Sequence, residues 1–171
     1  MALQCWQCHQ DGLVVVLARS SDFIAETFEH PEKGEEPWQQ MKLRLLGCDA
    51  VTYCGMTNRG LLEEDPEMSP EEIDFHVREH SVVRVRCTPQ LMSQVETEGV
   101  DADPTNSWFP PFAWKTLFCR QCDEHMGWQF IHPETDERPE TFVALRLTAL
   151  HEGSGELPKS GKKSRKKRNK K

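Results

Sequence analysis

Two cysteine pairs of identical spacing offer the first chemistry in this chain. Cys5-x-x-Cys8 lies near the start, Cys119-x-x-Cys122 far along, and 110 residues separate Cys8 from Cys119. The i,i+3 spacing lets a tight turn aim both sulfurs at one point while backbone N–H groups of the turn donate to them. Two such turns make a tetrahedral four-cysteine site, with zinc–sulfur bonds of about 2.3 Å and no open coordination position. A closed site is structural, so the expected cofactor is a Zn2+ that ties distant parts of the chain together and supplies folding free energy. A redox dithiol is the alternative for one such pair; the presence of two argues for metal. The other cysteines, Cys48, Cys54 and Cys87, have no partner spacing and read as ordinary strand residues. Seven cysteines is an odd number, and the opening MALQCWQC has no basic flank of the kind a secretory leader carries, so the expectation is metal and not a disulfide framework.

The second chemistry is aromatic. The stretch WFPPFAWKTLFCRQCDEHMGW places Trp108, Trp114 and Trp128, three of the five tryptophans, around the second cysteine pair. A metal there would fix the backbone on both sides of the indoles, and Phe130 would share a strand face with Trp128 as a floor. Indole faces attract cations and C–H groups polarised by neighbouring carbonyls. Three readings follow: a box for a small ring, a cage for methylated lysine with Asp123 or Glu124 at its rim, or three tryptophans that fill a core.

The elements that must position these groups are mostly strands. By alternation or β-branching, strands are predicted over 12–18, 41–46, 81–87, 126–132 and 141–149, with 113–118 a weaker candidate. In SVVRVRC the pattern sets Val83, Val85 and Cys87 inward against Arg84 and Arg86. One inserted helix is signalled in MSPEEIDFHVREH: Ser69 as N-cap, Pro70 at the first helical position, Glu72 completing a capping box, and Ile73 and Val77 facing inward. The acidic flanks 29–37 and LLEEDPE read as solvated insertions.

Length and charge bound the rest. A chain of 171 residues has room for one substantial core. No apolar run approaches the roughly 18 residues of a membrane span, so the expectation is an intracellular protein, cytoplasmic or nuclear, without membrane partners. The net charge of −7 hides two opposed regions: nine of the 21 basic residues fall within 159–171, leaving 12 against 28 acidic residues, or −16, in the remainder. Such a body repels phosphates. The segment 151–171 is expected to be a disordered basic tail, which either contacts nucleic acid or an import receptor through 159–171 or merely solubilises the chain.

Residues 107–130, SWFPPFAWKTLFCRQCDEHMGWQF, closely resemble the CULT domain, the thalidomide-binding domain of cereblon. That pattern runs Ser-Trp-Phe-Pro-Gly-Tyr-Ala-Trp, then Cys-x-x-Cys, then His-Ile-Gly-Trp-x-Phe. The stretch FVALRLTAL (142–150) resembles its final strand through Phe142, Leu145, Ala149 and Leu150, and the first Cys-x-x-Cys sits at the start as in the family. The resemblance spans residues 3–150 and is specific over 107–150. It implies a mainly β fold, a β-tent of two antiparallel sheets pinned by the zinc on its four cysteines, making up a domain over 1–150. It also implies that Trp108, Trp114 and Trp128 cage a glutarimide ring, whose imide meets backbone groups near Asn106, Ser107 and Trp108. Ligands of that kind are cyclic imides at modified protein C-termini and uracil-like molecules.

This sequence departs from the family at several positions. Pro111 replaces a Gly, Phe112 a Tyr and Asn106 a His; against the family loop Tyr-Val-Asn-Pro-His-Gly, Gly55 or Asn58 takes the Asn position. With few residues ahead of Cys5, the expectation is a stand-alone imide-binding module, not an enzyme, without its own ubiquitin-ligase docking domain. Methionine-sulfoxide reductases of the B type share the tent and both cysteine pairs but need a reactive cysteine beyond the second, and none follows Cys122. A Yippee-like zinc scaffold would not require the three tryptophans.

Overall fold

The computed structural model describes residues 1–27, 38–55, 67, 69–72, 81–99, 101–105, 107–132 and 141–154. Among the described residues there are ten strands: β1 (Ala2–Cys5), β2 (Val16–Ala18), β3 (Trp38–Leu45), β4 (Cys48–Gly55), β5 (Ser81–Arg86), β6 (Val95–Thr97), β7 (Ala113–Cys119), β8 (His125–Ile131), β9 (Phe142–Arg146) and β10 (Leu150–Gly153). They form two antiparallel sheets, β10-β1-β2 and β3-β4-β5-β9-β8-β7-β6. Of the short helices, α1 (Trp6–Gln10) links β1 to β2 and α2 (Pro89–Gln94) lies between β5 and β6. The mainly β, two-sheet expectation therefore holds.

The central strands of the larger sheet are buried on both faces, because two separate clusters cover them. On one face Val83, Val85, Val143, Leu145 and Leu117 meet Leu3, Leu17 and the cysteine pairs. On the other, Trp38, Tyr53, Val82, Phe109, Phe130 and Phe142 form an aromatic cluster, with Trp108, Trp114 and Trp128 packed at its edge. This second cluster overturns one expectation: Arg84 is only 5% exposed. Its guanidinium lies over Tyr53, Phe109 and Phe142, with centroids at 4.9, 5.6 and 5.2 Å, an arrangement in which ring faces attract the cation.

Boundaries differ where turns intervene. The predicted strand at 12–18 shrinks to β2, because the first cysteine turn draws 13–15 around itself through Leu13 N–H to Cys8 O (2.8 Å) and Cys5 N–H to Val15 O (3.0 Å). The predicted strand at 41–46 ends at Leu45: Leu46 and Gly47, both at positive φ, make a two-residue hairpin turn to β4. The stretch 141–149 divides into β9, a 3₁₀ turn over Leu147–Ala149, and β10, which runs to Gly153 and so beyond the boundary expected at 150. The signalled capping box forms, with Ser69 N–H to Glu72 Oε2 at 2.8 Å and Glu72 N–H to Ser69 Oγ at 3.3 Å; Ile73 and Val77 lie outside the described residues. The unforeseen α2 starts on its own signal, Thr88 as N-cap (Leu91 N–H to Oγ1, 3.1 Å) and Pro89 at the first position. Among the described residues no helix is long and apolar enough to cross a membrane.

Candidate metal centre and aromatic cavity

The four predicted ligands converge. The sulfur atoms of Cys5, Cys8, Cys119 and Cys122 all lie within 4.8 Å of one another, with Cys5–Cys122 and Cys8–Cys119 at 3.6 Å. A tetrahedron with metal–sulfur bonds of about 2.3 Å has sulfur–sulfur edges near ~3.8 Å, so the cluster has the size a metal requires. Cys5 and Cys8 flank the start of α1. Cys119 ends β7, and the turn after it is closed by Asp123 N–H to Cys119 O (2.9 Å) and Cys119 N–H to Glu124 O (2.8 Å). That turn needs a left-handed residue, and Asp123 takes the role at φ 59°. Arg120 anchors it to β6 by Nη2 on Val95 O at 2.9 Å.

Thiol chemistry also fits a cation. Burial pushes the Cys5 thiol up to about 12 and raises Cys8 as well, with the neighbouring sulfurs adding to Cys8. Burial acts the same way on Cys119, but N–H groups of Gln121 and Cys122 outweigh it and hold that thiol below its ordinary value. Four sulfurs so close cannot all ionise unless a positive charge sits among them.

Trp108, Trp114, Trp128, Phe130 and Ala144 line a cavity of about 120 Å³. All three indoles are half-buried, whereas Trp38, behind them, is fully buried and fills the core. Phe130 and Ala144, 3% and 1% exposed, make the floor. Each indole is held from outside the cavity. Trp108 O accepts from the indole N–H of Trp38, and the indole N–H of Trp114 donates to Thr105 O at 2.8 Å. The His125 ring stands edge-on to Trp128 at 4.9 Å and 88°. Trp108 and Trp128 face each other at 6.1 Å, tilted by 31°.

A β-bulge puts Trp128 in place. Leu117 pairs with Gly127 and Phe118 with His125, so Met126 is the extra residue. Met126 consequently turns to the metal-side core, while Trp128 and Phe130 turn to the aromatic side. Gly127 is essential to this: its φ is +144°, and a Cβ there would lie 2.0 Å from Ala144 O.

Of the other expected ligand residues, Ser107 is buried and its Oγ accepts from Phe109 N–H at 3.2 Å; it is not among the cavity-lining residues. Asn106 and Asn58 lie outside the described residues, and Gly55 pairs with Trp38 at the end of the β3–β4 hairpin. Pro111, in place of Gly, sits with Pro110 at the centre of a turn closed by Phe112 N–H to Phe109 O at 2.9 Å; the Pro110–Pro111 peptide is cis. Asp123 and Glu124, the candidate rim carboxylates, are not among the described residues that line the cavity. Trp38, Thr105, His125 and Ala144 escape a reading of the sequence. Of these, His125 alone carries a signal, as the first residue of the His-x-Gly-Trp run.

A two-sheet β chain with four cysteines clustered on one side of the larger sheet and an aromatic cavity on the other defines a class: a small β domain whose cysteine cluster could hold a metal ion. Within it, the chain is similar over part of its length to cereblon. It is 35% identical to cereblon of Gallus gallus over 75 residues (44% of this chain, 15% of that protein) and 49% identical to that of Xenopus tropicalis over 45 residues (26% and 10%). Against cereblon of Danio rerio it is 35% identical over 75 residues (44% and 17%). The match thus spans about a sixth or less of these cereblons. No protein-family profile matches the chain.

Proposed function

We propose that this chain is a CULT-type binding module, not an enzyme, whose three indoles receive a small neutral ring bearing a cyclic imide. Glutarimide, uracil-like molecules and cyclic imides at modified protein C-termini belong to this class. Cys5, Cys8, Cys119 and Cys122 would hold a Zn2+ that supplies rigidity and no chemistry of its own.

One observation carries the reading: a cavity walled by three half-exposed indoles, with no charged side chain among its described lining residues. At about 120 Å³ it is far smaller than the roughly 300–1,000 Å³ of a drug-sized site and suits a single ring. A saturated neutral ring enters such a box without the desolvation cost of a charge, and its polarised C–H groups meet the indole faces. The imide needs partners from the main chain. The Trp114 indole N–H is already engaged with Thr105 O, and Trp108 O, which accepts from Trp38, has a second lone pair to offer. A cation cage is less well supported, because neither Asp123 nor Glu124 is among the described residues that line the cavity.

Tryptophan fluorescence titration with glutarimide, uracil and trimethyl-lysine tests the proposal. Quenching by the two imides is expected. Quenching by trimethyl-lysine alone would overturn it.

A further inference from the structure

Among the described residues, Trp128 is the cavity indole that a titratable side chain contacts, through His125. His125 meets it twice. The two rings stand perpendicular, with centroids 4.9 Å apart (88°), and His125 Nε2 lies 3.1 Å from Gly127 O, the carbonyl of the peptide bond that leads into Trp128. On the ring's other side, Arg146 Nη1 lies 3.3 Å from Nδ1 and 3.0 Å from His125 O. These partners settle the tautomer: a carbonyl can only accept, so Nε2 carries the hydrogen, and a guanidinium can only donate, so Nδ1 offers its lone pair. A second proton would have to go on Nδ1, directly opposite an arginine N–H.

We propose that His125 is a proton-sensitive positioning residue: neutral, it holds Trp128 in the orientation that receives the ligand ring, and protonation at Nδ1 breaks that hold. The inference rests on the cyclic-imide reading only for its ligand-binding consequence. The surroundings of His125 favour the neutral form. Burial is the largest influence and lowers its pKa, and Arg146 from β9 lowers it further. The hydrogen bond to Gly127 O and the charge of Glu124 oppose these effects without reversing them. From β7 the neighbour is the uncharged ring of Phe118, at 5.7 Å.

The sign follows. With its pKa below the usual 6.5 or so, His125 is neutral at neutral pH. As pH falls through that lowered value the ring gains a proton on Nδ1 and the Arg146 contact turns repulsive; the charge strengthens the Nε2–H bond to Gly127 O, so it is the repulsion from Arg146 that drives the ring from its place against Trp128. Ligand affinity therefore falls on the acid side, although the ligand itself stays neutral.

The test uses the full, metal-loaded chain, isotopically labelled, from about pH 8 to about pH 5, with metal content checked at each point. Without ligand, the Trp128 indole N–H resonance is expected to titrate with the His125 imidazole at one shared midpoint. Glutarimide affinity should drop about threefold or more across the same midpoint. Arg146→Met removes the opposing cation and should move both midpoints to higher pH. His125→Phe keeps an aromatic edge but no proton, and should flatten both profiles. A Trp128 signal that stays constant while His125 titrates overturns the proposal, as does a wild-type profile in His125→Phe. If glutarimide binds at no pH but Trp128 and His125 titrate together, the ligand reading fails and this one stands; pH-independent binding gives the reverse.

Discussion

The two faces of the seven-stranded sheet are built from the same strands yet differ in kind. Alternate residues of β5 and β9 divide between them: Val83, Val85, Val143 and Leu145 face the metal side, whereas Val82, Arg84, Phe142 and Ala144 face the aromatic side. The metal-side cluster is largely aliphatic and is covered by the small sheet. The other is aromatic, joined by edge-to-face and stacked contacts such as Phe130–Phe142 at 5.1 Å and 14°, and it opens at the three indoles. One layer of backbone thus separates a closed aliphatic cluster from an aromatic one that leaves a recess, and damage to one should be distinguishable from damage to the other.

Removing the metal should have the largest effect. Cys119→Ala, or chelation, takes away a contribution on the order of 10 kcal/mol; calorimetry is expected to lose its cooperative transition, and an unchanged melt would show that the sulfur cluster is not a keystone. Metal uptake should weaken as pH falls, since the Cys5 thiol, at about 12 without a cation, must give up its proton on binding.

Next come two substitutions of about 2–5 kcal/mol. Leu145→Ala opens a void on the metal side; urea unfolding should register the loss while imide quenching stays intact. Gly127→Ala forces a Cβ into Ala144 O and should cost both stability and quenching, because the bulge serves both faces. Thr88→Ala removes the cap of α2 for about 1 kcal/mol, with no change at the cavity. Trp128→Ala is read at the cavity and the metal, not in the melt: it should abolish quenching and leave metal content at the wild-type value. Loss of metal there would mean that the two faces are not independent.

The clustering of the four cysteines was fully legible, because i,i+3 cysteine spacing needs no knowledge of the fold. The three indoles and Phe130 were legible through period-two alternation and the family motif. What escaped the sequence has physical reasons. Arg84 reads as a solvent-facing charge because alternation cannot tell one covered face from two; only the aromatic cluster beneath it makes burial tolerable. Strand β4, CDAVTYCG, mixes polar and apolar residues without a clear period, and the register with β3 decides it. Short strands such as β6 and β10 owe their existence to their neighbours. The anchors of the indoles, Trp38 and Thr105, come from segments far apart in sequence or carry no motif.

The order of the small sheet constrains how the molecule comes into being. Strand β1, the first of the described strands, lies between β2 and β10, the last of them. A chain emerging from a ribosome cannot complete this sheet until Leu150–Gly153 has been made, or bring the second cysteine pair to the first until Cys122 has. Assembly must therefore be late and concerted, as expected where long-range contacts dominate, and the thiols of Cys5 and Cys8 wait for their partners while the strands between them are made.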